Sequence, residues 1–233
     1  MLDIKEDITS LSNWHPRALP SPQLLAGRYV ALEPLNASRH SAALWGAVQG
    51  HDGVWTYLAD GPYASRADLQ GALEQKQSGT DSVFLAIVPT ASGKGSDPCG
   101  AQGYASYMRM DPTSGVIEVG NILLAPALQR TTAATEAMYL MACHIFEDLG
   151  YRRYEWKCNA KNEPSRRAAL RYGFTFEGIF RQHMIVKGHN RDTAWFSMLD
   201  SEWPARKAAF EAWLDPANFD ADGRQRLALR CRP

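Results

Sequence analysis

The chain is 233 residues long and 45% hydrophobic, with seven Trp, and its 25 basic residues balance 25 acidic ones. That length and apolar content suit one domain with extensions around a sizeable core. The zero net charge excludes a whole-protein field that would draw the chain to nucleic acid or an anionic membrane. Cys99, Cys143, Cys158 and Cys231 are scattered with no C-x-x-C pair, and the histidines show no ligand spacing. Reduced thiols in a cytoplasmic protein are therefore expected, without a disulfide framework or a metal.

The N-terminus, MLDIKEDITS, is acidic where a signal peptide needs a basic region. No stretch approaches about 18 consecutive apolar residues, so neither secretion nor a membrane span is expected. Residues 1–26 carry Pro16, Pro20 and Pro22 among polar residues and read as an irregular arm, with Trp14 tucked against the domain. Residues 28–33 alternate as a first strand. Asn36 or Ser38 is placed to cap a helix reaching Val48, and Ser65 to cap another over 66–77. Residues 83–88 form a short apolar strand, 90–98 a solvated turn, and 100–110 with 115–124 an antiparallel pair about Asp111-Pro112. A helix from Ala134 sets Ala134, Met138, Met141, Ile145 and Leu149 on one core-facing side. Strands follow over 153–158, 174–186 and 192–199, then a helix over 205–214. The division expected is an arm (1–26), a main domain (27–200) and a C-terminal helix and tail (201–233).

The stretch from Ile117 to Glu136, IEVGNILLAPALQRTTAATE, runs an apolar strand through Pro126 into a loop that opens a helix. Between Arg130 and Glu136 no side chain is bulky, so the backbone N–H groups are approachable. The first four N–H groups of a helix lack intrahelical partners, and the macrodipole adds positive charge there, so such a start holds phosphates.

Here the chain resembles the Gcn5-related N-acetyltransferase (GNAT) superfamily, whose pyrophosphate loop reads Q/R-x-x-G-x-G/A after a strand with L-x-V-x-P. Ile122, Leu124 and Pro126 fill the strand pattern, and Gln129, Thr132 and Ala134 the loop. Thr132 stands where the family has its first glycine, which predicts ordinary helical φ at that position. A second signature lies in NAKNEPSRRAALRYGFTFEGIF, where Asn162, Ser165, Gly173, Phe174, Glu177 and Gly178 match the family's C-terminal pattern. Its N-x-x-S form resembles the branch of RimJ- and RimL-type ribosomal-protein acetyltransferases. In isolation, small residues at a helix start are packing and Asn162 a turn residue; the two signatures in order carry the resemblance.

The resemblance implies a mixed, mostly antiparallel central sheet with helices on both faces and a splayed parallel strand pair, here 118–124 and 153–158. It implies acetyl-CoA as acyl donor, held by the backbone near Ile122, Leu123 and Leu124, by the loop of Gln129, Arg130, Thr131, Thr132, Ala133, Ala134 and Thr135, and by Asn162 and Ser165. Strand-like pairing of the pantetheine amides is the physical form of that contact. The acceptor is a primary amine, on a small molecule or a protein N-terminus, attacking directly in a ternary complex. A neutral amine must form, so a proton acceptor is needed; Glu118, on the splayed strand, is the candidate. The family's common tyrosine acid, four residues before Gly-Phe, is Ala169 here, which leaves Ser165 to assist the departing thiolate and Tyr172 to pack. Trp55, Tyr57, Tyr63, Tyr104 and Tyr107, with His183 and the run 187–191, are candidates for the acceptor pocket, although core packing accounts for most aromatics. Trp203, Phe210 and Trp213 are expected to pack on their own domain or on a second subunit of a homodimer. The alternative function is a non-catalytic acyl-CoA-binding or regulatory module on the same fold.

Overall fold

The computed structural model describes residues 11, 13–90 and 100–231; the turn expected over 90–98, the first ten residues and Cys99 lie outside or mostly outside them. Eight strands form one sheet: β1 (Leu25–Ala26), β2 (Val30–Pro34), β3 (Ser82–Pro89), β4 (Gly103–Asp111), β5 (Val116–Leu124), β6 (Arg153–Asn159), β7 (Thr175–Val186) and β8 (His189–Leu199). Their order is β1-β2-β3-β4-β5-β6-β8-β7, and β5/β6 is its parallel pair. The helices are α1 (Ala37–Val48), α2 (Arg66–Ser78), α3 (Thr132–Cys143), α4 (Glu163–Arg171) and α5 (Trp203–Leu214). Among the described residues no helix is long and apolar enough to cross a membrane.

Local chemistry explains the boundaries. Asn36 accepts from the Arg39 N–H at 2.9 Å and Ser65 from the Asp68 N–H at 3.2 Å, so each hydroxyl or amide satisfies a first-turn donor. Helix α5 starts at Trp203 rather than Ala205, because Pro204 needs no N–H partner in a first turn. Helix α4 stops at Arg171, two residues before Gly173, whose φ of +91° an L side chain resists and whose Cβ would sit 2.7 Å from Arg206 and Cys231.

The arm is less irregular than expected. Its end pairs as β1 with β2, closed by the Gly27 N–H to Val30 C=O bond at 2.8 Å. The buried Glu136 carboxylate of α3 accepts from the N–H groups of Arg28, Tyr29 and Val30 at 3.0, 2.6 and 3.0 Å. A Cβ on Gly27 would meet that carboxylate at 2.5 Å, so glycine is what permits the approach. Trp14 is half-buried against the β4–β5 turn, donating from Nε1 to the Thr113 carbonyl at 2.6 Å.

Two apolar cores flank the sheet. One lies under α3, α4 and α5; the other, including Leu44, Leu69, Leu73, Tyr104 and Leu123, lies under α1 and α2. Ala134, Met138, Met141 and Ile145 are buried as expected. Leu149 is only half-buried, because α3 passes into a π turn over His144–Asp148 whose extra residue breaks the 3.6 spacing. Trp203, Phe210 and Trp213 are buried in their own domain, Trp203 stacked on Phe146 and Phe210 on Tyr172. Of the two fates expected for these aromatics, that is the first, and they give no footing for a second subunit.

Candidate active site

Strands β5 and β6 pair at Val116–Arg153, Ile117–Tyr154, Glu118–Glu155 and Val119–Trp156, and no further. Beyond Val119 the strand β5 continues to Leu124 and β6 to Asn159, so the sheet opens between them. A bulge re-aims β5 at this point: Asn121 has φ +50° and its amide donates to Ser106 Oγ at 3.2 Å. Leu123 packs into the α1/α2 core while Ile122 and Leu124 pack against the opposite one. The Leu124 carbonyl already accepts from Gln129 Nε2 at 3.0 Å, so the Gln129 side chain closes the loop on the strand.

At the mouth of the opening stands the start of α3. Thr131 caps it, accepting from the Ala134 N–H at 3.1 Å and donating to the Leu128 carbonyl at 2.7 Å. The N–H groups of Thr132 and Ala133 have no acceptor among the described residues. Thr132 takes helical φ as expected, and the left-handed residue is Arg130, φ +64°, whose exposed side chain flanks the loop. Thr135 Oγ1 accepts from Arg171 at 3.2 Å, bringing a second cation to the helix start. Free N–H groups, small buried Ala133 and Ala134, and two arginines fit a pyrophosphate.

Asn162 caps α4 through Oδ1, accepting from the Ser165 N–H at 3.2 Å. The Ser165 hydroxyl accepts from Trp156 Nε1 at 3.0 Å. With Trp156 occupying it as a donor, the serine is left with its own O–H to give, which is the form that stabilises a sulfur anion. Burial pushes the Cys158 thiol up, and the serine opposes that rise.

Glu118 is 2% exposed. Arg109 Nη1 holds both of its oxygens, at 2.8 and 3.0 Å, and Lys157 Nζ sits 3.0 Å from Oε2. Lys157 also reaches Glu155 at 2.6 Å and lies 3.9 Å over the Trp195 ring. Arg153 continues the chain to Glu155 at 2.7 Å and to Glu177. Of the pocket candidates, Trp55, Tyr104 and Tyr107 are core residues; Tyr57 donates to the Lys161 carbonyl and Tyr63 to Asp60. His183, on the exposed β7 edge, pairs with Thr193 at 3.0 Å. Tyr172 is buried packing beside Trp156 and Phe210. Sequence reasoning missed Arg109, Lys157, Trp156 and Arg171; the register of β4 on β5 and of β5 on β6 brings the first two to Glu118. No cluster of His, Cys, Asp and Glu among the described residues could hold a metal ion.

A parallel pair that splays beside a free helix N-terminus defines an acyl-CoA-handling acetyltransferase fold. The acetyltransferase (GNAT) domain profile matches residues 30–175, and the chain belongs to this family of N-acetyltransferases. A GCN5-related N-acetyltransferase structure from Brucella melitensis is 50% identical with a TM-score of 0.89, covering 94% of this chain and 97% of that one. A GNAT-family structure from Chromobacterium violaceum ATCC 12472 is 38% identical with a TM-score of 0.78, covering 86% and 98%. YdaF of Bacillus subtilis (strain 168), named for ribosomal N-acetyltransferase activity, is 26% identical over 186 residues, 76% of this chain and 92% of its own length. These likenesses agree with the RimJ/RimL-type signature at Asn162 and Ser165.

Proposed function

We propose that the chain transfers an acetyl group from acetyl-CoA to a primary amine in a ternary complex in the cytoplasm. The observation that carries this reading is the end of β5/β6 pairing at Val119–Trp156, with the free N–H groups of Thr132 and Ala133 at its mouth. Acetyl-CoA, when bound, supplies an activated acyl carbon and a thiolate leaving group. The start of α3, with Arg130 and Arg171, holds the diphosphate, and the unpaired edge of β5 holds the pantetheine arm. Ser165, polarised by Trp156, donates to the departing sulfur. Glu118 receives the amine: an incoming ammonium competes with the half-exposed Arg109 for its oxygens, and Glu118 takes the proton. The name of YdaF and the Asn162/Ser165 signature support a protein N-terminus as acceptor over a small amine.

The test is free-thiol release with acetyl-CoA across an amine and peptide library, with products read by mass spectrometry. Acetyl-CoA at 100 times its dissociation constant stabilises the fold by about 2.7 kcal/mol, a rise of several degrees in Tm. Ala134→Glu places bulk and negative charge at the buried start of α3 and removes most of that rise. An unchanged rise in this variant puts the donor elsewhere, and thiol release without an acetylated product reduces the chain to a thioesterase.

A further inference from the structure

Three cations on the face of Glu118 are matched to three carboxylates: Arg109 to Glu118, Lys157 to Glu118 and Glu155, and Arg153 to Glu155 and Glu177. A fourth cation shares that face. Glu118 lies opposite Glu155, Glu155 opposite Ser197 and Lys157 opposite Trp195. Side chains two residues apart on a strand point to one side, so Arg191 projects from β8 with Trp195 and Ser197.

Arg191 has no carboxylate partner among the described residues. Its guanidinium makes no hydrogen bond or ion pair with the described residues, and Nε is buried without a partner. Burial first, and the neighbouring Arg109 charge second, push its pKa down, against the pull of Cys158 and Glu118. A half-buried cation next to another cation is costly to leave uncompensated. Further along the same face, Trp195 Nε1 is a second buried donor without a partner. The two are four positions apart on β8, roughly 13 Å at the rise of a strand. Orphan donors so spaced fit an extended chain better than a compact amine.

We propose that Arg191 binds a carboxylate of the acceptor, which makes the preferred substrate a peptide N-terminus with acidic residues in its first positions. This rests on the amine-acetyltransferase reading, but its test does not need turnover. Two fluorescein-labelled peptides that differ only in Asp and Glu against Asn and Gln at positions two to four are titrated onto the full chain saturated with CoA, and anisotropy gives their Kd. The acidic peptide binds about tenfold or more tightly, as charge-assisted hydrogen bonds do over neutral ones, and the margin shrinks with added salt. Arg191→Gln abolishes the margin, Arg191→Lys restores part of it, and neither shifts the Kd of acetyl-CoA more than twofold.

An acidic preference that survives Arg191→Gln overturns the proposal, as does failure of both peptides to bind. A weakened Kd for acetyl-CoA also overturns it, since Arg191 would then serve the donor. Acetyl transfer to amines without an acidic preference leaves the transferase reading standing while this proposal falls. Acidic binding lost in Arg191→Gln, with no transfer to any amine, does the reverse.

Discussion

Ser165 illustrates how a single hydroxyl acquires a role from its neighbours. The N-x-x-S resemblance implies a position near the cofactor sulfur, but nothing in the pattern reveals that the Trp156 indole would occupy its oxygen at 3.0 Å. Ser165→Ala removes the proposed donor to the thiolate and leaves a buried indole N–H unsatisfied. The expected result is a fall in kcat of roughly ten- to a thousand-fold with the Kd of acetyl-CoA nearly unchanged, and a stability loss of about 1–3 kcal/mol. A raised Kd with kcat intact in stopped-flow and steady-state assays makes the hydroxyl a binding group instead. In the companion variant Glu118→Gln, the acidic limb of the pH–rate profile disappears, because the lost group acts only when ionised. A retained limb assigns the proton to water or another group. Glu118 was legible as a strand carboxylate near the opening. Its partners were not: Arg109 lies across the β4–β5 hairpin and Lys157 on β6, and each meets Glu118 only through a strand register that the residue pattern does not specify.

At the scale of elements, the helices were the easiest to read, because Asn36, Ser65 and Asn162 are capping residues ahead of periodic apolar positions. Strand β1 was missed because two residues carry no periodicity; what makes it a strand is the carboxylate of α3. Glu136 gathers three N–H groups from residues 28–30 and so joins the β1–β2 turn to the helix whose start is proposed to hold the diphosphate. Sequence cannot show this, since an acidic residue in an alanine-rich helix reads as a solvated face. Glu136→Ala leaves those buried donors with no acceptor, and the expected cost is about 3–5 kcal/mol, read as a large drop in the denaturation midpoint. Glu136→Gln retains an acceptor and is expected to lose less. Equal midpoints for the alanine variant and the parent would mean that water replaces the carboxylate and that the tether is dispensable.

Across the whole molecule, the segment between α1 and α2 joins the two halves of the sheet. Trp55 is buried in the α1/α2 core with Tyr63 edge-on at 5.1 Å, and Tyr63 donates to Asp60, which pairs with Lys76 at 2.6 Å. Burial raises the Asp60 pKa, yet the hydrogen bonds from Lys76 and Tyr63 outweigh it and hold the carboxyl below its ordinary value. Its stabilising contribution is therefore present above the ordinary carboxylate range and is lost only as pH falls through the lowered value, so the anchor is intact at any assay pH near neutrality. From that anchor the segment reaches across: the Trp55 carbonyl accepts from Lys187 of the β7–β8 hairpin at 2.9 Å, and Tyr57 donates to the Lys161 carbonyl ahead of α4 at 3.1 Å. Composition had offered these aromatics as pocket walls; the fold uses Trp55 and Tyr63 as the anchor and Tyr57 as one end of a bridge. Both bridge bonds lie outside the core, so Tyr57→Phe combined with Lys187→Met is expected to cost little stability, about 1–2 kcal/mol. It frees the segment from the hairpin and from α4 while leaving α1 and α2 packed. Limited proteolysis within residues 50–64 should accelerate, and the KM for the acceptor should rise several-fold while the Kd of acetyl-CoA changes less. If proteolysis accelerates and the acceptor KM does not move, the segment braces the fold and takes no part in seating the amine.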